Sequence, residues 1–516
     1  MRKIHALIVA LPTLLMLGCD QKPKPTTAAD AAALQAELHD WFAAQVNPLL
    51  PANVQPVTVA PEGTGFRLRI DIPASGDQFV PQGLALSLKA TRGKEGVWQF
   101  DDYALPSSLT IKLPAAMQVQ PGQPANPNFP PPPQELRVSV AHSSYHGTFD
   151  PSLKQNSHLE GAMEGFKYQV GNIEVGIGKS SSTNDLLPAA NGLVDFKAHG
   201  SSDDMREQIS LPNGMSGEIG WAHDESSSQI LAVSLEQLRG AIQDATRLIA
   251  TARQNPNAPP GTDQVAAIVD KLLSLADSAS GEMEISGFHL QFQAVNATAE
   301  HAHIAASLGS AAGRPRVSYR IQLQNFDVPS VATGAWHELM PHNITLAFGL
   351  GGVPKERLLQ YLHDTSAAAG AGTPAQMMVA RQVAFASLLT DGADFSIDEL
   401  AFNLGETSFT GHAQIHVMPA QQVSAVIDIM TTGLDKLMSR ASQDPVLAQS
   451  VPVLAMARGL AKTEGDKQSW HIEAANNGVL INGVDLRSLN LQRPQAAPAP
   501  ANPPPPALAL PPPSKP

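Results

Sequence analysis

The chain lacks a second cysteine, a surplus of positive charge and any long apolar run beyond its first residues. Cys19 is the sole cysteine among 516 residues, so no internal disulfide can form and stability must come from burial. Hydrophobic residues make up 43% of the chain, enough to build a core. The formal net charge is −13. Phosphate binding needs a basic surface, so this balance argues against a nucleic-acid partner. It argues equally against electrostatic docking on anionic lipid heads. After residue 20, no stretch approaches the roughly 20 apolar residues that span a bilayer as a helix.

Recognisable catalytic and cofactor motifs are lacking too. Gly176-Ile177-Gly178-Lys179-Ser180 suggests a phosphate loop, but that loop needs a glycine five places before Gly178, where Ile173 stands. It also needs a following helix, whereas 181–184 is loop-like, so the segment reads as a strand ending in a polar turn and no nucleotide is expected. Gly214-Met215-Ser216-Gly217-Glu218 lacks the second glycine of a nucleophile elbow. Asp101-Asp102 and Asp203-Asp204 are adjacent pairs that point to opposite faces of an extended chain, and they read as solvated turn residues. Among the histidines, His301 and His303 beside Glu300 would share a strand face, and His412 and His416 are four apart. Alternation of Ile415 and Val417 with that pair argues strand, where four steps span ~13 Å, too far to share one ion. His142 and His146 meet the same objection. No catalytic residue, cofactor or metal site is assigned, and the chain is read as non-enzymatic, with a hydrolase of unfamiliar site as the outlying alternative.

What the chain does have is an address. Arg2 and Lys3 precede an apolar stretch over 4–17, broken only by His5, Pro12 and Thr13, and Met16-Leu17-Gly18-Cys19 follows. A charged start, a short apolar core and small residues at a cut describe a secretory signal. The last four residues resemble the lipobox of bacterial lipoproteins, with Met16 in the place usually held by Leu or another aliphatic residue. The resemblance implies removal of 1–18 and lipid on Cys19. Each buried methylene of such a lipid adds ~0.8 kcal/mol, so two or three chains anchor firmly. Asp20 resembles the signal for retention at the inner membrane of Gram-negative bacteria. The expected location is the periplasmic face of that membrane.

Residues 19–27 read as a tether. The region 28–225 reads as a helix over about 28–46, with Thr27 as cap and Leu34, Leu38, Trp41 and Phe42 along one stripe, then a β-rich stretch. Phe66-Arg67-Leu68-Arg69-Ile70-Asp71-Ile72 alternates strictly, as a half-buried strand requires. Further strands are expected at 84–88, 97–100, 109–113, 136–140, 166–170, 173–177 and 193–197, with a proline-rich loop at 121–133. The region 226–493 carries a repeat of element order, strand–helix–turn–helix–strand–strand, in three copies. Their opening strands are 230–233, 344–348 and 423–429. Their helix pairs are 235–253 with 263–277, 354–364 with 374–389, and 433–441 with 446–462. Gly281, Gly392 and Gly465 are expected between the second helix and the returning strands, and Asn476-Asn477-Gly478 signals a hairpin. The tail 494–516 is mostly Pro and Ala and cannot pack a core.

Phe395-Ser396-Ile397-Asp398-Glu399-Leu400-Ala401-Phe402 and Ser408-Phe409-Thr410-Gly411-His412-Ala413-Gln414-Ile415 resemble the strands of YdgA-like periplasmic proteins, as does Gly433-Leu434-Asp435-Lys436-Leu437. The similarity covers about 281–491 and implies a fold and a compartment, with no catalytic residues. The expected fold class is α+β: a long, twisted, mainly antiparallel sheet built from repeated strand–helix–helix–strand units, with helices packed on one face. The expected function is binding of a lipid-like or protein partner on that sheet. The alternative is a structural scaffold that docks other envelope proteins through the sheet or the proline tail.

Overall fold

The computed structural model describes residues 26–45, 57–72, 81–112 (without 83 and 94–96), 135–210 (without 151, 152 and 154), 215–254, 264, 267, 268, 270, 271, 274, 275, 278–329 (without 294, 312 and 313), 337–369 (without 338), 374–388, 391–418, 422–475 (without 446) and 478–489. Cys19, Asp20, the loop 121–133 and the tail 494–516 lie outside them.

Helix α1 (Ala28–Gln45) begins at a reciprocal cap: Asp30 N–H donates to Thr27 Oγ1 at 3.2 Å and Thr27 N–H donates to Asp30 Oδ2 at 2.9 Å. Its buried Ala31 and Leu34 pack on a small antiparallel group. These strands are β1 (Val57–Glu62), β2 (Gly65–Ile72), β3 (Pro81–Gln82), β4 (Leu84–Arg92), β5 (Trp98–Tyr103), β6 (Ser108–Lys112), β7 (Glu135–Ser139) and β8 (His142–Asp150). Strict alternation in β2 sends Phe66, Leu68 and Ile70 inward together. The next strand, β9 (Gln155–Val170), forks the sheet. Along one edge its first part pairs with β8 and its last part with β7. One branch continues β8–β5–β4–β2–β1, the other β7–β6–β3. Leu105, Leu109 and Met163 touch the cores of both branches and join them. Trp98 and Tyr103 are each only 2% exposed. Among the described residues, neither Trp98 Nε1 nor the Tyr103 hydroxyl has a hydrogen-bond partner. Burial raises the Tyr103 phenol well above its ordinary value and pushes neighbouring Tyr145 up to about 12.

From β9 onward the sheet opens into a long antiparallel ladder. It runs through β10 (Ile173–Pro188), β11 (Val194–Ser210), β12 (Ser216–Val233), β13 (Ser278–Phe292), β14 (Val295–Ala311), β15 (Arg314–Gln324), β16 (Ile344–Gly351), β17 (Ala393–Leu404), β18 (Thr407–Met418) and β19 (Gln422–Thr432). It closes with β20 (Lys462–Glu464), β21 (Lys467–Ala475), β22 (Gly478–Ile481) and β23 (Val484–Asp485). Each strand from β9 to β19 pairs with the next, so the N-terminal strands and the later ones form one ladder. Helix α2 (Leu235–Gln254) follows β12, α3 (Lys355–Ala369) and α4 (Pro374–Leu388) lie between β16 and β17, and α5 (Leu434–Gln443) and α6 (Val451–Leu460) follow β19.

Several expected strands prove to be fragments of longer ones. The expected 166–170, 173–177 and 193–197 are the apolar ends of β9, β10 and β11, whose polar remainders carry no hydrophobic alternation. Gly281 stands inside β13 and Gly465 (φ +66°) in the hairpin between β20 and β21, so of the three only Gly392 (φ +93°) lies between a helix and the returning strand. The expected helix 446–462 is a 3₁₀ turn, Leu447–Ser450, then α6, and 462 already belongs to β20. Of the expected helix 263–277, only scattered residues are described, and Asn476 and Asn477 lie outside the described set.

One row of the ladder is unusual. Gly165 (φ +62°), Asp204 (φ +54°) and Gly287 (φ +66°) put left-handed residues into alternate strands β9, β11 and β13. They share a row with Gly178 and Ala222 on the strands between: a Cβ at Gly178 would stand 3.0 Å from that of Asp204, and one at Gly287 3.0 Å from that of Ala222. A left-handed residue turns an extended chain, so this row creases the sheet. Asp203-Asp204 therefore sits mid-strand rather than in the solvated turn expected from sequence.

Candidate functional site

Residues directly opposed in an antiparallel ladder project to the same side. Following the register across β14–β19 gives three adjoining rows. They are Ile304–Ile321–Leu346–Leu400–Gly411–Ile429, Ala306–Tyr319–Phe348–Ile397–Ala413–Ile427, and Leu308–Val317–Leu350–Phe395–Ile415–Ala425. No position in them carries a charge, and the only polar side-chain atom is the Tyr319 hydroxyl. Rings reinforce this floor: Tyr319 stacks on Phe348 at 5.4 Å, and in the next row Phe402 stacks on Phe409 at 5.0 Å.

Helices cover the floor at its margins. Leu434 and Leu437 of α5 and Leu454 of α6 pack with Phe409, Ile429 and Trp470, and Trp470 Nε1 donates to the Ala457 carbonyl at 2.7 Å. Leu358 of α3 and Leu388 of α4 close over Val353, Ala393 and Val417. Between these lids the floor is open: Ile304 is 41% exposed, Tyr319 44%, Leu350 47% and Phe395 37%. Helix α4 turns Met378, Val379, Val383 and Phe385 outward as well. Covering 300 Å² of such surface would contribute about 7 kcal/mol at ~25 cal/mol per Å². A contiguous apolar surface of this kind is what a ligand or partner covers.

The reverse side of the same strands is polar. There the rows read Ser307–Ser318–Gly349–Ser396 and Ala305–Arg320–Ala347–Glu399. Small residues leave a trough of about 790 Å³ bordered by Lys197, His199, Glu282, Arg320 and Asp398. A second trough of about 560 Å³ lies beside it, bordered by Glu399, His412, Asp428 and His471. Arg320 pairs with Glu399, and Arg316 reaches Asp398 at 3.6 Å.

The residues weighed in the sequence fall into place on this frame. Gly176 to Ser180 lies inside β10, which continues as strand to Pro188; the polar turn expected after it does not occur. His142 and His146 are on β8, and His412 and His416 on β18, both extended. His412 Nε2 pairs with Asp428 Oδ2 at 3.0 Å, whereas His416 Nδ1 pairs with Asp394 Oδ1 at 2.7 Å. His301 lies 3.7 Å from Glu300, and His303 3.7 Å from Glu284. Asp203 accepts from His223, and Asp101 lies in β5. Among the described residues, no three of His, Cys, Asp and Glu converge as metal ligands, and no helix is long and apolar enough to cross a membrane.

Sequence reasoning missed the histidine–carboxylate pairing of the polar side. Its signal was present as alternation of polar residues, such as His158-Leu159-Glu160, in segments with no apolar period. Comparison of the chain with protein-family models, with curated proteins and with solved structures found no match.

Proposed function

We propose that this protein is a lipid-anchored, non-enzymatic envelope protein that holds the acyl chains of a lipid-like ligand on the apolar floor of β14–β19. The observation that carries the reading is the unbroken apolar floor from Ile304 to Ile427, half-exposed at Ile304, Tyr319, Leu350 and Phe395. Acyl chains match it because they need area and no hydrogen bonds, and the floor supplies area without polar partners. The lipobox-like Met16-Leu17-Gly18-Cys19 supports a membrane-side location, and Asp20 supports the inner membrane. The same reading takes the three strand–helix–helix–strand stretches as copies of one unit within an α+β fold, akin to YdgA-like periplasmic proteins.

A fatty acid bearing a diazirine, photolysed with the full-length protein, is the direct test. Labelling should saturate and map to peptides containing Ile304, Tyr319 and Phe348, and Phe348→Asp should suppress it. Labelling that never saturates, or that maps to the helices alone, removes the acyl-chain reading. Anchoring is tested separately: intact mass and membrane fractionation of wild type beside Cys19→Ala should differ by the lipid. A second reading, docking of another envelope protein, is favoured by the outward Met378, Val379, Val383 and Phe385 of α4. Their replacement by Ser should abolish capture of a partner while leaving fatty-acid labelling unchanged.

A further inference from the structure

The polar side carries one constellation three times. His158-Leu159-Glu160 in β9, His223-Asp224-Glu225 in β12 and His471-Ile472-Glu473 in β21 each place His and Glu two apart on a strand, hence on one face. Directly across from each histidine stands an aspartate of the neighbouring strand: Asp185, Asp203 and Asp428. In all three, His Nδ1 lies 2.7 Å from the Asp Oδ1. The Glu of the same strand stands by Nε2, at 4.0, 3.6 and 3.0 Å respectively. Each imidazole is therefore bracketed by carboxylates at both nitrogens.

Proton counting gives the bracket a condition. A neutral imidazole has one N–H and one lone pair, so it can donate to only one carboxylate and turns a lone pair toward the other. The imidazolium donates to Asp and pairs with Glu at the other nitrogen, by a hydrogen bond in His471 and by charge alone in the longer contacts. We propose that the brackets at His223 and His471 are proton-operated latches: closed in acid, where the imidazolium pairs with both carboxylates, they tie β11 to β12 and β19 to β21, and they loosen as the medium becomes alkaline and the charge-assisted bond to Asp becomes a neutral one. This device is independent of what the opposite, apolar side binds.

The surroundings of each bracket are polar and mixed in sign. His158 faces Thr148 on β8 and has Lys197 beyond Asp185 on β11, while His146 shares Glu160 at 3.1 Å. His223 faces Ser286 on β13, and Lys179 on β10 stands beyond Asp203 with Glu164 at 3.7 Å from it. His471 shares Asp428 with His412, and Lys462, Glu399 and Asn482 border the same trough. For His223 the bond to Asp203 raises the imidazole above its ordinary value, with Glu225 assisting. For His471 the bond to Asp428, then that to Glu473, does the same. A raised folded-state value means that the stabilisation is complete below the unfolded imidazole's midpoint of ~6.5 and is lost as pH rises through the folded one.

Histidine Cε1–H resonances of the full-length protein, titrated from acid to alkali, read the latch, and amide exchange along β11–β12 and β19–β21 reads its effect. His223 and His471 should titrate above ~6.5, and Asp203→Asn and Asp428→Asn should bring each midpoint down toward that value. Amide exchange in the paired strands, corrected for its intrinsic pH dependence, should rise severalfold on crossing the wild-type midpoints. Should an Asn variant fail to fold, His223→Gln and His471→Gln serve instead, and exchange in their strands should no longer change across that range. Midpoints at or below the free imidazole value, or exchange that ignores the titration, would overturn the proposal.

Discussion

The N-terminal group β1–β8 and the long ladder β9–β19 use the same alternating code and reach opposite ends. In the first, the sheet forks and the two branches, with α1, shield each other's apolar sides, so Leu68 and Trp98 vanish from solvent. In the second, among the described residues, an equally apolar face has no second layer over its middle, and Tyr319 and Leu350 stay half in water. Alternation thus specifies that one side of a strand is apolar; a second layer decides whether that side becomes a core or a surface.

Substitutions can break this contrast. The largest effect is expected in the closed part: Trp98→Ala should cost ~3–5 kcal/mol and lower the denaturation midpoint in urea. A loss below ~1 kcal/mol would mean that the forked core is loosely packed. At the crease, Gly178→Val would crowd Asp204, and overpacking should cost ~1–3 kcal/mol, read from the same unfolding curve. Thr27→Ala removes the α1 cap and should cost ~1 kcal/mol. The smallest stability change should come from the open floor: Ile304→Ser should stay within ~0.5–1 kcal/mol, yet reduce fatty-acid labelling. A large stability loss there instead would mean that the floor is buried in solution, and the contrast would dissolve.

The sequence displayed the apolar half of this architecture more clearly than the polar half. Phe66 to Ile72 announced its strand because every second residue is apolar, and Phe395 to Phe402 announced its own through Phe395, Ile397, Leu400 and Phe402, with the alternation slipping by one at Asp398-Glu399. Nothing comparable marks 198–210 or 216–229, where Ser, Gly, His and Asp fill both sides. There the strands are supported by cross-strand pairs, such as Ser181–Ser201 at 2.9 Å and His223–Asp203 at 2.7 Å, and pairing partners are invisible until register is known. The floor was legible in its separate strands and not as a site, because its continuity depends on the Ile304–Ile321–Leu346 register. Cys19 and Asp20 lie outside the described residues, so the anchor rests on the motif itself.

Neighbours in this ladder are also neighbours in time. From β9 to β18 every strand pairs with the one made immediately before it and the one made immediately after. A chain delivered N-terminus first therefore lays each new strand against a template already in place, and no segment waits unpaired for a distant partner. The forked group departs from this order, where β5 must hold until β8 arrives and β7 until β9, and so does the end of the ladder, where β19 must hold until β21. Non-sequential pairings are thus concentrated in the first third of the chain, and most of the later ladder can grow by accretion.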